Sequence, residues 1–245
     1  MRRWIRRIWV TAGLWFTAWL LWNARATGVD AALLASGDAV IVTDSAEVLR
    51  FVPRADQGRT GLVFLPGGAV DPIAYVPLLH AVAREGHPVA LVRLPWRAAP
   101  TDASQATVWE RIARVQAADP DRHWILAGHS RGAALGARLA GMHPEAFAGL
   151  VLIGTTHPKR GSLAGLPMPV TKIYGTRDCV ADSAATLANA GLLPPSTRWV
   201  RLDGANHRQF GRYGGQLGDC RATMSHDAQQ AATLGVLLES LAQVP

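Results

Sequence analysis

Short, mainly apolar runs alternate with segments of helical spacing along most of this chain, and this alternation restricts the possible fold more than any other feature. Gly61–Leu65 is the first of these runs. Strands that are apolar on both faces pair in parallel and are covered by helices on both sides. The sequence therefore predicts an α/β fold with a mostly parallel central sheet. The other predicted strands are Val89–Leu94, His123–Ala127, Leu150–Ile153, Val170–Tyr174 and Arg198–Leu202, and the predicted helices are Pro72–Arg84, Ser104–Ala118, Arg131–Met142, Ala181–Ala190 and His226–Ala242.

The segment before these runs adds a hairpin and a linker. Two short apolar runs, Ala39–Thr43 and Val48–Val52, flank D-S-A-E and predict an antiparallel hairpin. The chain has 245 residues, of which 49% are apolar, so it is long enough for one sizeable core. We therefore predict an N-terminal segment over residues 1–26, a linker or short helix over 27–37, and one α/β domain over 38–245.

Residues 1–26, MRRWIRRIWVTAGLWFTAWLLWNARA, have the pattern of a membrane signal. Ile8–Ala24 holds 17 uncharged residues, which is at the short end of what crosses a bilayer. The four arginines before it favour a cytoplasmic amino terminus. We expect a transmembrane helix that anchors the chain in the inner or plasma membrane, with the domain outside the cytoplasm. The alternative is a signal peptide cleaved near Ala26, which would leave a secreted or periplasmic protein.

The basic character of the chain comes mainly from this first segment. The formal net charge is +7, but residues 1–25 hold five arginines and no acid, and the remainder has 20 basic and 18 acidic residues. No basic stripe with interleaved aromatic residues follows. The sequence therefore argues against nucleic acid as a partner.

A serine lies at the junction between a predicted strand and a predicted helix. The motif G-H-S-R-G, residues 128–132, ends one element and opens the next, with Ser130 at its centre. A G-x-S-x-G motif in this context is typical of a nucleophile elbow, where a sharp turn exposes the hydroxyl. The helix that follows places its positive end near Ser130. We predict Ser130 as a catalytic nucleophile, the alternative being a glycine-rich packing turn.

A serine nucleophile needs a base, and the base needs a carboxylate that orients it. Asp178 follows one predicted strand, in I-Y-G-T-R-D, and His207 follows the next, in G-A-N-H. We predict that Asp178 and His207 complete a catalytic triad with Ser130. Asp203 and Asp182 remain as rival acids.

The developing oxyanion needs two backbone N–H donors. One should be the amide of Arg131, the residue after the nucleophile. The second should come from the P-G-G-A turn after the first strand, where glycine allows close approach of the backbone. Gly68 and Ala69 are both candidates for that donor.

The motifs F-L-P-G-G, G-H-S-R-G, I-Y-G-T-R-D and G-A-N-H, in this order, resemble those of the α/β-hydrolase superfamily over residues 38–243. More narrowly the chain is similar to the compact bacterial dienelactone-hydrolase-like group, although it has a serine nucleophile where dienelactone hydrolases have cysteine. The resemblance implies hydrolysis of an ester or thioester in a small acyl substrate, as in carboxylesterases, without a cofactor. Gly154–Pro169 is too short for the cap domain found in many relatives, so we expect an open site.

Cys179 and Cys220 are the two cysteines; Cys179 directly follows the predicted acid, and Cys220 lies thirteen residues after the predicted base. If Asp178 and His207 are in contact, the two cysteines are near enough to form a disulfide, which suits an extracytoplasmic chain. We predict this bridge, the alternative being two free thiols. No clustered Cys/His spacing predicts a metal site.

The sequence analysis therefore predicts a membrane-tethered serine hydrolase of the carboxylesterase type. Acyl transfer or amide cleavage by the same triad is one alternative, and a non-catalytic, hydrolase-like binding module is another. Arg131, Lys159 and Arg160 either favour an anionic substrate or are solvated surface charges. His129 and His157 are predicted to be packing or surface residues.

Overall fold

Eight strands form one sheet in the computed structural model, which describes residues 2–56 and 58–244. The strand order is β1-β2-β4-β3-β5-β6-β7-β8. The strands are β1 (Val40–Asp44), β2 (Val48–Pro53), β3 (Thr60–Leu65), β4 (Val89–Val92), β5 (His123–His129), β6 (Gly149–Ile153), β7 (Val170–Gly175) and β8 (Arg198–Leu202). β1 and β2 form the predicted hairpin, and β2 pairs antiparallel with β4. The pairs from β4 through β8 are parallel, which confirms the predicted α/β fold with a mostly parallel sheet.

Helices cover both faces of this sheet because alternate side chains of the central strands point to opposite sides. In β3, Leu62 and Phe64 pack in one hydrophobic core with α2 and α6, and Val63 and Leu65 pack in a second core with α3 and α4. All of β3 is buried, as its apolar sequence predicts. The helices are α1 (Arg2–Asn23), α2 (Val76–Arg84), α3 (Asp102–Ala117), α4 (Arg131–Met142), α5 (Ser183–Ala188) and α6 (His226–Ala242).

The N-terminal helix corrects one sequence prediction. In the described part of the chain no helix is both long and apolar enough to cross a bilayer, so the predicted transmembrane helix and the single-pass membrane localisation are wrong. Arg6 and Arg7 lie inside α1 and leave an uncharged stretch of 16 residues, Ile8–Asn23. At a rise of 1.5 Å per residue this stretch is about 24 Å long, shorter than a hydrocarbon core of about 30 Å.

α1 projects from the domain, and its carboxyl end is attached to the loop after β8. All side chains of residues 3–22 are exposed. The Asn23 carbonyl accepts a hydrogen bond from the Gly214 amide at 2.8 Å, and Asn23 Oδ1 accepts one from the Gly215 amide at 2.7 Å. Ala26 forms a β-bridge with Tyr213. Most of the residues that hold α1 therefore belong to the loop that carries His207, and the Asp71 amide of the loop after β3 adds a hydrogen bond to the Ala24 carbonyl at 2.8 Å.

The segment between β6 and β7, residues 154–169, is described throughout and contains no helix or strand. It leaves the carboxyl end of the sheet without a cap domain above it. Ligands of parallel α/β sheets bind at this end of the strands. The loops after β3, β5, β7 and β8 meet there.

Candidate active site

Ser130 lies in the turn between β5 and α4, and its backbone is strained. Its φ and ψ angles are 52° and −113°, a conformation that side-chain-bearing residues rarely adopt. Such a residue costs about 1–3 kcal/mol and persists only where its neighbours hold it in place. The Ser130 amide donates to the Ile153 carbonyl of β6 at 2.9 Å, and the Ser130 carbonyl accepts from the Ala134 amide of α4. The strand and the helix together hold the serine in this turn.

The two glycines of G-H-S-R-G are required by close backbone packing. A Cβ on Gly132 would lie 2.1 Å from the Leu65 carbonyl oxygen, and one on Gly128 would lie 2.6 Å from the Gly132 carbonyl carbon. No side chain fits at either position without moving the backbone. The close approach at Gly132 brings the amino end of α4 against the end of β3.

The structure places Asp178 and His207 in direct contact. His207 Nδ1 lies 2.8 Å from Asp178 Oδ2, and both side chains are buried. Asp178 Oδ1 accepts hydrogen bonds from the Val180 amide at 2.9 Å and the Ala181 amide at 2.7 Å. Since both oxygens act as acceptors, this arrangement suits an ionised carboxylate that orients the imidazole.

The two rival acids have other partners. Asp203 is exposed, and its Oδ1 accepts from Arg201 Nε at 2.8 Å. Asp182 caps α5 by accepting from the Ala185 amide at 2.9 Å. Neither carboxylate has a hydrogen bond to His207 among the described residues.

His129 links the nucleophile turn to the loop that carries His207. Its ring packs against the His207 ring with the centroids 4.6 Å apart. His129 Nδ1 is hydrogen-bonded to the Tyr75 hydroxyl at 2.8 Å, and that hydroxyl also accepts from the Gly67 amide at 3.0 Å. Burial, and then the nearby His207, hold the pKa of His129 well below its usual range, so this ring is neutral at pH 7.

Tyr75 is a site residue that the sequence analysis missed. It is buried, and burial raises the pKa of its hydroxyl. By accepting from Gly67 and pairing with His129, it ties the P-G-G-A turn to the nucleophile turn. The sequence around Tyr75 does not indicate this role, because its hydrogen bond to His129 joins residues that are 54 positions apart in the chain.

The backbone hydrogen bonds distinguish between Gly68 and Ala69, the two candidates for the second oxyanion donor. The Ala69 amide donates to the Arg97 carbonyl at 2.8 Å and is therefore occupied. Within the described chain the Gly68 amide has no hydrogen-bond acceptor. Gly68 lies beside Arg131, since a Cβ on Gly68 would be 3.1 Å from the Arg131 Cβ. Gly68 and Arg131 are therefore the pair of residues that the fold brings together.

Asp219 organises the loops that carry the acid and the base, and the sequence analysis missed it. Its Oδ2 accepts from the Arg208 amide at 2.9 Å. Its Oδ1 accepts from the amides of His207 and Cys220 at 3.3 and 2.9 Å, and from that of Cys179 at 3.4 Å. One carboxylate thus gathers backbone donors from both sides of the Asp178–His207 pair.

The predicted disulfide between Cys179 and Cys220 is present. The two Cα atoms are 5.3 Å apart, and the bridge joins the residue after Asp178 to the residue after Asp219. Neither cysteine is free. No group of three or more His, Cys, Asp or Glu side chains within residues 2–56 and 58–244 is placed to hold a metal ion.

A family model described as alpha/beta hydrolase family matches residues 61–231, well over half of the chain. The chain belongs to the alpha/beta hydrolase family. This confirms the resemblance and supports a hydrolase activity. No curated protein matches the sequence.

Solved structures with a similar fold have low sequence identity to this hydrolase. A lidless α/β serine hydrolase from Xanthomonas campestris is 16% identical, with a TM-score of 0.59 over 85% of this chain and 95% of its own. A structure provisionally assigned as a dienelactone hydrolase, from Klebsiella pneumoniae, is 16% identical, with a TM-score of 0.60 over 84% and 100%. A membrane phospholipase A, a bacterial virulence factor, is 17% identical, with a TM-score of 0.58 over 99% and 100%. These likenesses show the fold.

Proposed function

We propose that this hydrolase cleaves ester or thioester bonds through an acyl-enzyme on Ser130. The observation that carries the proposal is the buried Asp178–His207 pair, packed through His129 against the strained turn that holds Ser130. A hydroxyl held in such a turn becomes a nucleophile when a neighbouring imidazole accepts its proton. The family membership supports the same class of reaction.

In the proposed mechanism, Ser130 Oγ attacks the acyl carbonyl carbon while His207 Nε2 accepts its proton. Asp178 accepts a hydrogen bond from His207 Nδ1–H. This hydrogen bond fixes the tautomer in which His207 Nε2 is free to act as the base. The amides of Gly68 and Arg131 donate to the oxyanion, and the amino end of α4 adds a favourable dipole. His207 then protonates the leaving group. A water molecule, deprotonated by His207, releases the acid and restores the serine.

Labelling with a fluorophosphonate probe tests this proposal directly. We expect wild-type protein to be labelled, Ser130→Ala to be unlabelled, and His207→Ala and Asp178→Asn to react at least about 100-fold more slowly, as for general base catalysis. Asp203→Asn is the matched control, because it removes a nearby carboxylate that lies outside the pair, and it should react like wild type.

The proposal fails if folded wild type is not labelled, or if Ser130→Ala is labelled equally well. The first outcome would favour a non-catalytic binding module. Product analysis of an activated ester, with and without an added alcohol or amine, separates hydrolysis from acyl transfer. An amide substrate in the same assay tests amide cleavage.

We also propose that α1 lies on a lipid surface without spanning it. Large apolar side chains are exposed on all sides of the helix from Ile8 to Trp22, and they include Trp9, Trp15 and Trp19. Arg3, Arg6 and Arg7 lie in its first two turns, and the helix contains no acid. A helix with exposed indole rings and a basic end is attracted to the interface of anionic membranes, where indole rings and guanidinium groups are both favoured.

Co-sedimentation with vesicles tests the lipid proposal. We expect the full chain to bind phosphatidylcholine vesicles that contain phosphatidylglycerol more tightly than pure phosphatidylcholine vesicles. The triple variant Arg3→Gln/Arg6→Gln/Arg7→Gln should lose this preference, whereas the remote Arg59→Gln/Arg84→Gln variant should keep it. The proposal is wrong if the full chain stays in the supernatant with both vesicles, or if the triple variant binds like wild type.

A further inference from the structure

A cavity of about 650 Å³ runs along α4 and begins next to the nucleophile turn. One wall is the helix itself, from Arg131, the residue after Ser130, to Gly141. The other wall is residues 157–163 of the segment between β6 and β7. Ten helical residues correspond to about 15 Å, so the cavity is long enough for a substrate moiety that extends away from Ser130.

The rim of this cavity is cationic and its interior is partly apolar. Within the described chain no acidic residue lines it. Ala134, Leu135 and Leu163 supply apolar surface. The charged or titratable lining residues are Arg131, Arg138, His157, Lys159 and Arg160. The site thus combines positive charge with a surface that accepts a short hydrocarbon chain.

Most of this charge has no carboxylate partner. The Arg131 guanidinium donates to the Ala98 and Ala99 carbonyls at 2.8 and 2.7 Å, which hold it in place without neutralising it. Lys159 and Arg160 are exposed and form no ion pair with a described carboxylate. The exception is Arg138, which pairs with Asp102 at 3.0 Å.

The charged neighbours of His157 indicate the sign of the electrostatic potential in the cavity. Burial lowers the pKa of its ring first, and Lys159, Lys172 and Arg131 lower it further. Lys172 is buried beneath the cavity wall and its Nζ donates to the His157 carbonyl. The cationic Lys159 and Arg131 therefore give this ring a positive potential, which stabilises a bound anion.

We propose that this cavity binds the anionic end of the substrate, so that the hydrolase prefers esters that carry a carboxylate or phosphate over neutral esters of the same size. The inference rests on the proposed hydrolase function. The anion is held by Lys159, Arg160 and the fixed Arg131, while the apolar surface along α4 covers the chain between the anion and the ester.

The test compares p-nitrophenyl butyrate with two anionic esters, mono-p-nitrophenyl glutarate and 4-(butyryloxy)benzoate. The first anionic ester carries its carboxylate on the acyl group and the second carries it on the leaving group. For the wild-type enzyme, we expect kcat/KM for at least one of the two anionic esters to be about tenfold higher than kcat/KM for p-nitrophenyl butyrate, after correction for leaving-group reactivity. In Lys159→Gln/Arg160→Gln this advantage should fall by about fivefold to tenfold, as expected for two partly solvated charges.

The control is Arg59→Gln/Arg84→Gln, which removes the same charge near the amino ends of β3 and β4 and should keep the wild-type ratio. Butyrate turnover by this control variant should stay within about twofold of wild type. Equal kcat/KM for neutral and anionic esters in wild type, or an unchanged ratio in Lys159→Gln/Arg160→Gln, would overturn the anionic-substrate inference alone. If the wild-type protein hydrolyses none of the three esters, the proposed hydrolase function itself is contradicted.

Discussion

Gly132 and Gly136 lie one helical turn apart on α4, and their surroundings predict opposite effects of the same substitution. In Gly132→Ala the new methyl would lie 2.1 Å from the Leu65 carbonyl, whereas in Gly136→Ala it would lie 3.6 Å from Leu126 Cδ2, an ordinary contact. We expect Gly132→Ala to lower the free energy of unfolding by more than about 4 kcal/mol, since β3 or α4 must shift. Gly136→Ala should be neutral or stabilise by up to about 1 kcal/mol through helix propensity. Urea denaturation measures both, and equal effects would contradict the packing argument.

Lys172 gives the stability a predictable pH dependence. Burial lowers the pKa of its amine to about 7, whereas an unfolded chain keeps lysine protonated up to about pH 10.4. Between about pH 7 and about pH 10 the unfolded state therefore binds more protons, and the free energy of unfolding rises by up to about 1.4 kcal/mol per pH unit. Lys172→Met should be more stable near pH 7 and should show a flatter slope. Denaturation series near neutral and alkaline pH measure the slope, and identical slopes would refute the assignment.

At the scale of elements, the disulfide connects the two loops that hold the Asp178–His207 pair. It closes a sequence separation of 41 residues, for which loop entropy predicts a stabilisation of about 4 kcal/mol. We expect Cys179→Ser/Cys220→Ser to unfold more readily and to lose kcat more than it raises KM, because the base is less well positioned. Dithiothreitol should reproduce this loss in wild type and leave the double variant unchanged. A reduced wild type with full kcat would show that Asp219 alone positions the loops.

At the scale of the whole molecule, α1 and the hydrolase domain are nearly independent. Residues 3–22 are exposed along their length, and the attachment begins at Asn23. We expect deletion of residues 2–22 to change the free energy of unfolding of the domain by less than about 1 kcal/mol, since little apolar surface is buried against it. The shortened chain should also self-associate less, because large exposed apolar patches promote association. Denaturation and light scattering check the two outcomes, and a large loss of stability would contradict the independence.

The features that the sequence predicted correctly are those that depend on contacts within or beside one element. The alternation of apolar runs and helical spacing predicted the parallel sheet, because burial on both faces leaves a local record in every strand. G-H-S-R-G predicted the turn at Ser130, because a Cβ on Gly128 would clash with the backbone of Gly132 and Ala133 within the same strand–turn–helix unit. The transmembrane prediction for residues 1–26 was wrong because it counted uncharged residues, several of which, such as Thr11, Gly13 and Asn23, are not strongly apolar.

The sequence by itself determined the class of fold, the position of the strand–helix turn at Ser130 and the order in which serine, acid and histidine candidates follow the strands. Only the tertiary structure decided which acid contacts His207 and that Asp219 and Tyr75 join the surrounding loops. It also showed that the Ala69 amide donates to Arg97, whereas the Gly68 amide has no acceptor among the described residues. It also gathered Arg131, Lys159 and Arg160 around one cavity. The physical reason is that local patterns record what each element buries, whereas contacts between loops depend on the order in which the strands are assembled in the sheet.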